Sequence, residues 1–306
     1  TELVDADTGR STTVRELYHS KQPIRVLSVD DNLRLVKQRV VDVASNGPKP
    51  VFKVTTHLGH TIIVTNNHPF LTIDGWKELK ELRVGERIAA PRSLDMMQGQ
   101  QRMDRSRLAV LAAVLSEGNT CHPSGVYVYN NSEVYIQDVL SHLSAFELTV
   151  PTVRQRGRRY EVYAGTGQRT TFVAGRAPWN KGRSGYLRSE SHETIPTHPK
   201  SGVRQWIEEL GLAWVKSTEK FIPDFVFSLP VDQITFFLGR LWSGDGHLWS
   251  AARPGGSPFY ATSSKRLAYQ VQHLLLRLGI VSTMNAKTFR YKGGTRPGYT
   301  VQVSGK

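Results

Sequence analysis

Apolar residues alternate with polar ones, or form short apolar runs, along the first 92 residues of the chain. The runs at 24–29, 51–56 and 61–65 are rich in β-branched residues, which favour strands. Turn signals separate these runs, such as the Asp-Gly pair at 74–75. Residues 1–92 are therefore predicted to be all-β.

The spacing of apolar residues changes to a helical period after a polar stretch at 93–103, which is predicted to be a linker. Residues 104–306 are predicted to form an α+β domain. Its helices are predicted at 108–115, 132–143, 203–210, 231–243 and 267–278, and its strands at 152–156, 159–163, 286–291 and 299–303. Because the order helix, strands, helix occurs twice, two pseudo-repeats are expected, interrupted by a basic insertion at about 165–200.

Two of the predicted helices end in the same way. The strings LAAVLSEG at 111–118 and LGRLWSGDG at 238–246 place one carboxylate, Glu117 or Asp245, directly before a glycine. Either string alone is typical of a buried helix with a glycine stop, but together they favour two copies of one unit with a shared site. Arg240 stands where a small residue is expected. The small residues expected to let the two helices approach are Ala109, Ala112, Ala113 and Gly239.

The net charge of +14 is unevenly distributed. Residues 1–92 contain 14 Lys/Arg and 11 Asp/Glu, a balance of +3, and residues 93–306 contain the other 26 and 15, a balance of +11. This excess indicates a polyanionic partner, most simply nucleic acid, with a basic but inert surface as the alternative. No run of 18 apolar residues occurs, so no membrane partner and a cytoplasmic location are expected. The single cysteine, Cys121, excludes disulfides and cysteine zinc sites within the chain and favours a reducing compartment.

The paired acid-ended helices resemble the motifs of LAGLIDADG homing endonucleases. The resemblance implies a monomer that cleaves double-stranded DNA at a specific homing site, with Glu117 and Asp245 as catalytic residues and Mg²⁺ ligands. Phosphodiester hydrolysis uses a divalent cation to activate water and to neutralise phosphate charge, and Mg²⁺ takes one or two protein carboxylates. The alternative for both acids is a structural role at a helix end.

Lysines and arginines extend this resemblance. Lys220, in EKFIP at 219–223, matches a Lys-x-Ile-Pro element of the family, which implies a catalytic role; a surface lysine before a strand is the alternative. Lys265 is a weaker candidate for phosphate contact, and an exposed lysine beside a capping serine is its alternative. Further DNA contacts are predicted at Arg154, Arg156, Arg158, Arg159, Lys181 and Arg183.

Residues 59–72, GHTIIVTNNHPFLT, and 75–86, GWKELKELRVGE, resemble the splicing (Hint) domain of inteins, most of all inteins of replicative DNA helicases. The resemblance implies that Thr65 and His68 are catalytic. They would polarise the carbonyl at the upstream splice junction and protonate the leaving amide nitrogen, without a cofactor. The implied partners are the flanking host segments, or exteins, of a replicative DNA helicase.

The intein pattern is incomplete in these 306 residues. An intein begins with Cys or Ser before the position that Thr1 matches, and it closes with a strand pair and a His-Asn terminus, neither of which is present. A truncated sequence, omitted ends and the first piece of a split protein each account for this, and the chain alone is not expected to complete splicing. Cys121 is either a small apolar filler or a redox switch that pairs with the absent nucleophile, its pKa lowered by His122.

The sequence thus predicts a multidomain, bifunctional intein that splices itself from a host protein and cleaves DNA. One alternative is an intein that only splices and retains DNA affinity through a degenerate endonuclease. The other is a maturase-like nucleic-acid-binding protein on the endonuclease fold.

Overall fold

A computed structural model of the chain describes residues 2–97, 99–168, 199–248, 257–291 and 293–303. The chain divides into two compact units. The first unit contains Thr1–Met103, Ile222–Leu238 and Gly246–Lys306, and the second contains Asp104–Phe221 and Gly239–Asp245. The domain boundaries expected from the sequence stay predictions.

The N-terminal part of the first unit consists mainly of antiparallel hairpins. Strands pair in sequence order as β1 (Glu2–Val4) with β2 (Ser11–Thr13), β3 (Arg25–Val29) with β4 (Leu35–Arg39), β5 (Phe52–Thr55) with β6 (Thr61–Val64), and β7 (Pro69–Thr72) with β8 (Gly75–Glu78). One helix, α1 (Val14–Ser20), lies between the first two hairpins, and a 3₁₀ turn at Leu79–Glu81 follows the last one. The expectation of strands alone was wrong at α1, where Thr13 and Glu16 form a reciprocal capping box that stabilises a helix start.

The second unit is built on a central buried helix, α2 (Arg105–Glu117), capped at its start by the side chain of Asp104. Every residue from Leu108 to Leu115 is buried, as expected for a helix that is apolar on all sides. The other elements are β9 (Gly118–Asn119), β10 (Val126–Asn130), α3 (Glu133–Leu143), β11 (Val150–Arg156), β12 (Arg159–Gly165) and α4 (Gly202–Glu209). The strands form one antiparallel sheet in the order β11-β12-β10-β9.

The remaining elements follow in the same sequence. They are a 3₁₀ helix at Asp224–Ser228, α5 (Val231–Asp245), β13 (Gly246–His247), β14 (Phe259–Thr262), α6 (Lys265–Arg277), β15 (Ser282–Tyr291) and β16 (Gly294–Val303). The strands pair antiparallel in the order β13-β14-β16-β15. Buried residues of α6, including Leu267 and Val271, and of the sheet, including Tyr260 and Val301, form the core of this part.

The two sheets share one connectivity. In each, an acid-ended helix is followed by a two-residue strand, a second strand, a helix and a final hairpin, and the final hairpin lies at the same edge of the sheet. Glu117 and Asp245 are the last residues of α2 and α5, so each precedes the two-residue strand of its own sheet. The polar stretch 93–103 lies in the first unit, where Leu94 N donates a 3.0 Å hydrogen bond to Leu276 O.

Among the described residues, no helix has both the length and the apolar composition that crossing a membrane requires.

Candidate functional site

A buried lysine lies at the C-terminal end of α2. The Nζ atom of Lys220 donates hydrogen bonds to the backbone oxygens of Val114 (2.8 Å), Leu115 (3.0 Å) and Gly118 (2.9 Å). The last carbonyls of a helix lack partners inside the helix and carry partial negative charge, so an ammonium group is favourable there. Lys220 therefore caps the C-terminal end of α2, where Glu117 is the last residue. The expected catalytic role stays a prediction, while the hydrogen bonds show a positioning role.

The charges of Lys220 and of the two acids also act on one another. Burial lowers the pKa of Lys220 to about 8, and the charges of Asp245 and Glu117 oppose this by favouring the ammonium form. In turn, the charge of Lys220 favours the ionised form of both acids and so opposes the increase in their pKa values that burial causes. Glu117, Asp245 and Lys220 thus form one cluster in the second unit.

The carboxylate of Glu117 is held from the adjacent strand. The Nδ2 atom of Asn130, the last residue of β10, donates a 3.0 Å hydrogen bond to Glu117 Oε1. Burial raises the pKa of Glu117, opposed by Lys220, by this hydrogen bond and by the charge of Arg159. Asn130 was not identified from the sequence, where only its position at the end of an alternating strand could have indicated it.

Fewer groups stabilise the ionised form of Asp245 than that of Glu117. Burial, and after it the charge of Glu117, raise the pKa of Asp245 to about 7, while Lys220 acts in the opposite direction. A second carboxylate within electrostatic reach disfavours ionisation, as in other sites where two acids share a location. The positive charge present is therefore insufficient to keep Asp245 fully ionised near neutral pH.

A glycine allows α5 to approach α2 beside the acids. A Cβ atom added to Gly244 would lie 2.2 Å from Ser116 Oγ, 2.5 Å from Ser116 Cβ and 3.3 Å from Glu117 Cγ. At Gly239 an added Cβ would meet no atom within 4 Å, so the expectation that Gly239 is one of the small residues that let the helices approach was wrong. Five residues span about 1.4 helical turns, which rotates Gly239 away from the face that carries Gly244.

Arg240, the departure from the expected small residue, points to α3. Its guanidinium forms an ion pair with Asp138. The large side chain therefore lies against α3, and the contact made by Gly244 with Ser116 is retained.

The donor set fits a divalent cation of the magnesium type. Within the described part of the chain, no group of three or more His, Cys, Asp or Glu side chains is placed to hold a metal. Mg²⁺ is nonetheless bound in proteins by one or two carboxylates with water completing its shell. The charge of Glu117, which raises the pKa of Asp245, is the repulsion that a cation between them would relieve.

The outer face of the β9–β12 sheet carries arginines and tyrosines. Opposed residues share a face, and the register pairs Tyr127 with Tyr163 and pairs Glu161 with both Tyr129 and Arg154. The predicted contact residues Arg154, Arg156, Arg158 and Arg159 are exposed on the β11–β12 hairpin. The guanidinium of Arg159 lies 4.2 Å from the Tyr129 ring centroid. These tyrosines were not predicted from the sequence, although the alternation Val-Tyr-Val-Tyr at 126–129 indicates an aromatic outer face.

The other predicted DNA contacts divide into two groups. Lys265 is exposed at the first position of α6, where Ser264 Oγ accepts the hydrogen bond from Leu267 N. Its surroundings therefore match the alternative given above, an exposed lysine beside a capping serine. Lys181 and Arg183, with most of the expected basic insertion, lie outside the described residues.

Thr65 and His68 lie together in the turn between β6 and β7. The backbone N of His68 donates a 3.2 Å hydrogen bond to Thr65 O, and the Thr65 hydroxyl donates at 2.7 Å to Asn67 Oδ1. Both residues are half-buried. The structure therefore brings the two predicted splicing residues into one tight turn in the first unit.

Cys121 is half-buried after β9, and its backbone N donates to Asn119 Oδ1. Burial raises the pKa of its thiol, opposed by Arg204 among other cations. The expectation that the pKa of Cys121 is lowered was therefore wrong in direction. This disfavours the thiolate that a redox switch needs.

Similarity to known proteins covers nearly the whole chain. A LAGLIDADG-like domain family matches residues 232–306. The replicative DNA helicase DnaB of Synechocystis sp. is 31% identical over 98% of this chain and 32% of its own length. The DnaB protein of Rhodothermus marinus is 31% identical over 99% of this chain and 30% of its own length. The chain thus spans about a third of the length of the curated relatives it matches.

Two solved structures have partial similarity to this chain. The crystal structure of an Ssp DnaB mini-intein variant is 37% identical, covering 30% of this chain and 58% of that one, with a TM-score of 0.29. The endonuclease I-DmoI in complex with DNA and Ca is 10% identical, covering 65% and 83%, with a TM-score of 0.38.

Proposed function

We propose that this chain is an intein with an inserted LAGLIDADG-like endonuclease domain in a DnaB-like context, and that it has two activities. One is protein splicing from a host polypeptide, with Thr65 and His68 as catalytic residues. The other is site-specific cleavage of double-stranded DNA with Glu117 and Asp245 at the reacting phosphate. We further propose that the two sheets belong to pseudo-repeats of one ancestral unit, since they share one strand order.

The observation that carries the nuclease proposal is the cluster of two acids and one lysine. Glu117 and Asp245 occupy equivalent helix ends, and the charge of one raises the pKa of the other. Mg²⁺ bound there would activate water and neutralise charge on the phosphate. Asn130 orients the Glu117 carboxylate, and Lys220 fixes the end of α2 that carries it.

The arginines of the β11–β12 hairpin support a DNA substrate. Arg154, Arg156, Arg158 and Arg159 are exposed, and guanidinium groups on a β-ribbon bind phosphates and base edges. The excess of +11 over residues 93–306 agrees in sign with this partner. We propose these four residues, with Lys265, Lys181 and Arg183, as DNA contacts.

For splicing, the proposal rests on the turn that holds Thr65 and His68 next to each other. A hydroxyl and an imidazole in one turn can polarise a carbonyl and protonate an amide nitrogen, which are the two needs of the first acyl shift. The flanking host segments would be the substrate.

A splicing-only intein is the second candidate, because the acid cluster is already partly neutralised. Gly118 O accepts a hydrogen bond from Lys220, and Glu117 Oε1 accepts one from Asn130. Donors within the chain therefore already occupy oxygen atoms that could otherwise bind a cation. A degenerate nuclease would bind DNA through its arginines without cutting it.

Cleavage of a linear DNA library in Mg²⁺ distinguishes these candidates. We expect specific double-strand cuts by the wild type and a loss of about 10³-fold or more in Glu117→Gln and in Asp245→Asn. Asp232→Asn is the matched control, since Asp232 is an exposed acid in the first turn of the same helix as Asp245. It should cut like the wild type. Salt-sensitive binding without cuts by the wild type would contradict the nuclease and leave the splicing-only intein.

The splicing activity needs a separate assay in the full natural polypeptide. We expect His68→Ala and Thr65→Ala to lose cleavage at the upstream junction, while Glu117→Gln splices normally. Normal splicing by His68→Ala would contradict the assignment of that residue.

A further inference from the structure

We infer that α6 is a positioning element for the splicing reaction, acting through Gln272 and Arg277. This inference rests on the proposed splicing function. Both residues lie within the 232–306 segment that matches the LAGLIDADG-like domain. Their side chains nevertheless donate hydrogen bonds to backbone oxygens of residues 1–92, the splicing segment, which contains Thr65 and His68.

The first contact is made at the turn between β5 and β6. Gln272, 2% exposed, donates its Nε2 hydrogens to the backbone oxygens of Leu58 and Ser282, both at 2.9 Å. Leu58 O also accepts a 3.0 Å hydrogen bond from the backbone N of Met284 in β15. The tip of the hairpin is thus fixed by both α6 and the strand that follows it.

Two neighbouring residues tighten the same contact. Gly59 has φ +87°, and a Cβ atom there would lie 2.6 Å from Met284 O. Thr61 Oγ1 and Tyr269 Oη are 3.1 Å apart, which joins the first residue of β6 to α6. Because β6 leads directly into Thr65, the contacts of Leu58, Gly59 and Thr61 set the position from which the catalytic turn starts.

The second contact is made at the turn between β1 and β2. Arg277, also 2% exposed, donates from Nη2 to Gly9 O at 2.8 Å and from Nη1 to Phe227 O and Met97 O. Its Nε donates at 2.9 Å to His273 Nε2. Burial lowers the pKa of His273 to about 3, so this imidazole is neutral and available as an acceptor. Gly9 has φ +72°, and an added Cβ would lie 2.0 Å from Phe227 O.

The arrangement is specific because one helix holds two separate parts of the splicing segment by buried side-chain to backbone hydrogen bonds. One part leads into Thr65 and His68, and the other is the turn that follows β1, at the start of the chain. Reacting groups must be aligned closely, since a misplacement of about 1 Å can slow a reaction by about 10²-fold. Contacts that fix both parts on one rigid helix therefore act on the rate of splicing without touching the reacting atoms.

A neighbouring glutamine on α6 provides the control. Gln270 also exchanges hydrogen bonds with backbone, donating to Ile222 O at 3.0 Å and accepting from Ile222 N at 2.7 Å, but it does not hold the splicing segment. Gln272→Met and Gln270→Met each remove amide hydrogen bonds while keeping side-chain length. In the full natural polypeptide, we expect Gln272→Met to slow upstream-junction cleavage by about 10- to 100-fold and Gln270→Met to leave it unchanged, with similar decreases in Tm for both.

Variants of Arg277 and Tyr269 test the same positioning role at other contacts of α6. Arg277→Met should slow the same step, and Arg277→Lys should recover part of the rate by restoring a donor. If Gln272→Met does not fold, Tyr269→Phe, which removes only one hydroxyl, should still slow cleavage by about 2- to 5-fold. The inference is overturned if Gln272→Met or Tyr269→Phe splices at the wild-type rate, or if Gln270→Met slows splicing as much as Gln272→Met. Absence of splicing in the wild type would instead overturn the splicing function, and this inference with it.

Discussion

The ends of α2 and α5 carry equivalent acids in unequal surroundings. At the end of α2, Glu117 receives a hydrogen bond from Asn130, and Lys220 binds three carbonyls of the same helix end. At the end of α5, Gly244 packs against Ser116, and the pKa of Asp245 is raised to about 7. The first end is organised by polar partners and the second by close packing. The two acid-bearing helix ends therefore have different physical supports.

This difference bears on how the two acids respond to a cation. Glu117 has a fixed carboxylate orientation, whereas Asp245 is close to half protonated at neutral pH because burial and the charge of Glu117 disfavour its ionised form. A divalent cation would favour the ionised form of Asp245, so we expect proton release on metal binding to come mainly from this residue.

The largest effect is expected from removing the lysine that supports α2. Lys220→Met would remove a donor from each of the three carbonyl oxygens and would remove the positive charge that acts on both acids. We expect the free energy of unfolding to fall by about 3–5 kcal/mol, as for other buried charges whose partner is deleted. Urea denaturation measures this, with Lys216→Met as the control because Lys216 is exposed in the same loop. Equal stability of the two variants would show that Lys220 does not hold this helix end.

A smaller effect, with opposite signs, is expected at the two glycines of α5. Gly244→Ala places a methyl group against Ser116 and should destabilise the protein by about 1–3 kcal/mol, with a loss of DNA cleavage. Gly239→Ala meets open space within a helix and should stabilise it by up to about 1 kcal/mol. Thermal unfolding of both variants tests this, and destabilisation of similar size in both would contradict the packing described at Gly244.

The smallest effect is expected in the pH dependence of stability. The pKa of Asp245 is raised from 3.8 to about 7, so the folded state binds more protons than the unfolded state between these values. The contribution of Asp245 therefore falls as pH rises from about 4 to about 7 and is constant above that, with a slope below about 1.4 kcal/mol per pH unit.

Chemical denaturation of the wild type and Asp245→Asn across this range measures the effect. The variant should lose the Asp245 part of the slope, and Mg²⁺ should stabilise the wild type more than the variant at about pH 8. Identical slopes in the two proteins would show that Asp245 ionises normally.

Much of the secondary structure followed from local patterns. The helices expected at 108–115 and 267–278 were found as α2 and α6, and each begins earlier than expected because Asp104 and Ser264 cap its first turn. Helix α1 was missed because it is short and only its capping box marks it. Local spacing determines such elements, since they depend on residues within a few positions of one another.

The sequence pointed to the two acids and the lysine of the candidate site, but not to Asn130. Glu117 and Asp245 were identified because a repeated string places each at a helix end, and Lys220 because it matches a family element. Asn130 gave no comparable signal, since its role depends on where β10 lies beside α2. The roles of all these residues in catalysis stay predictions.

Most of the elements, their repeated order and the positions of the two acids along the chain followed from the sequence. Only the folded arrangement shows which glycine of α5 meets α2, which carbonyls Lys220 binds about 100 residues away, and that α6 holds the turns at Gly9 and Leu58. The physical reason is that periodicity and capping act between near neighbours. Close approach, burial and the resulting pKa shifts instead depend on which faces of distant segments come together.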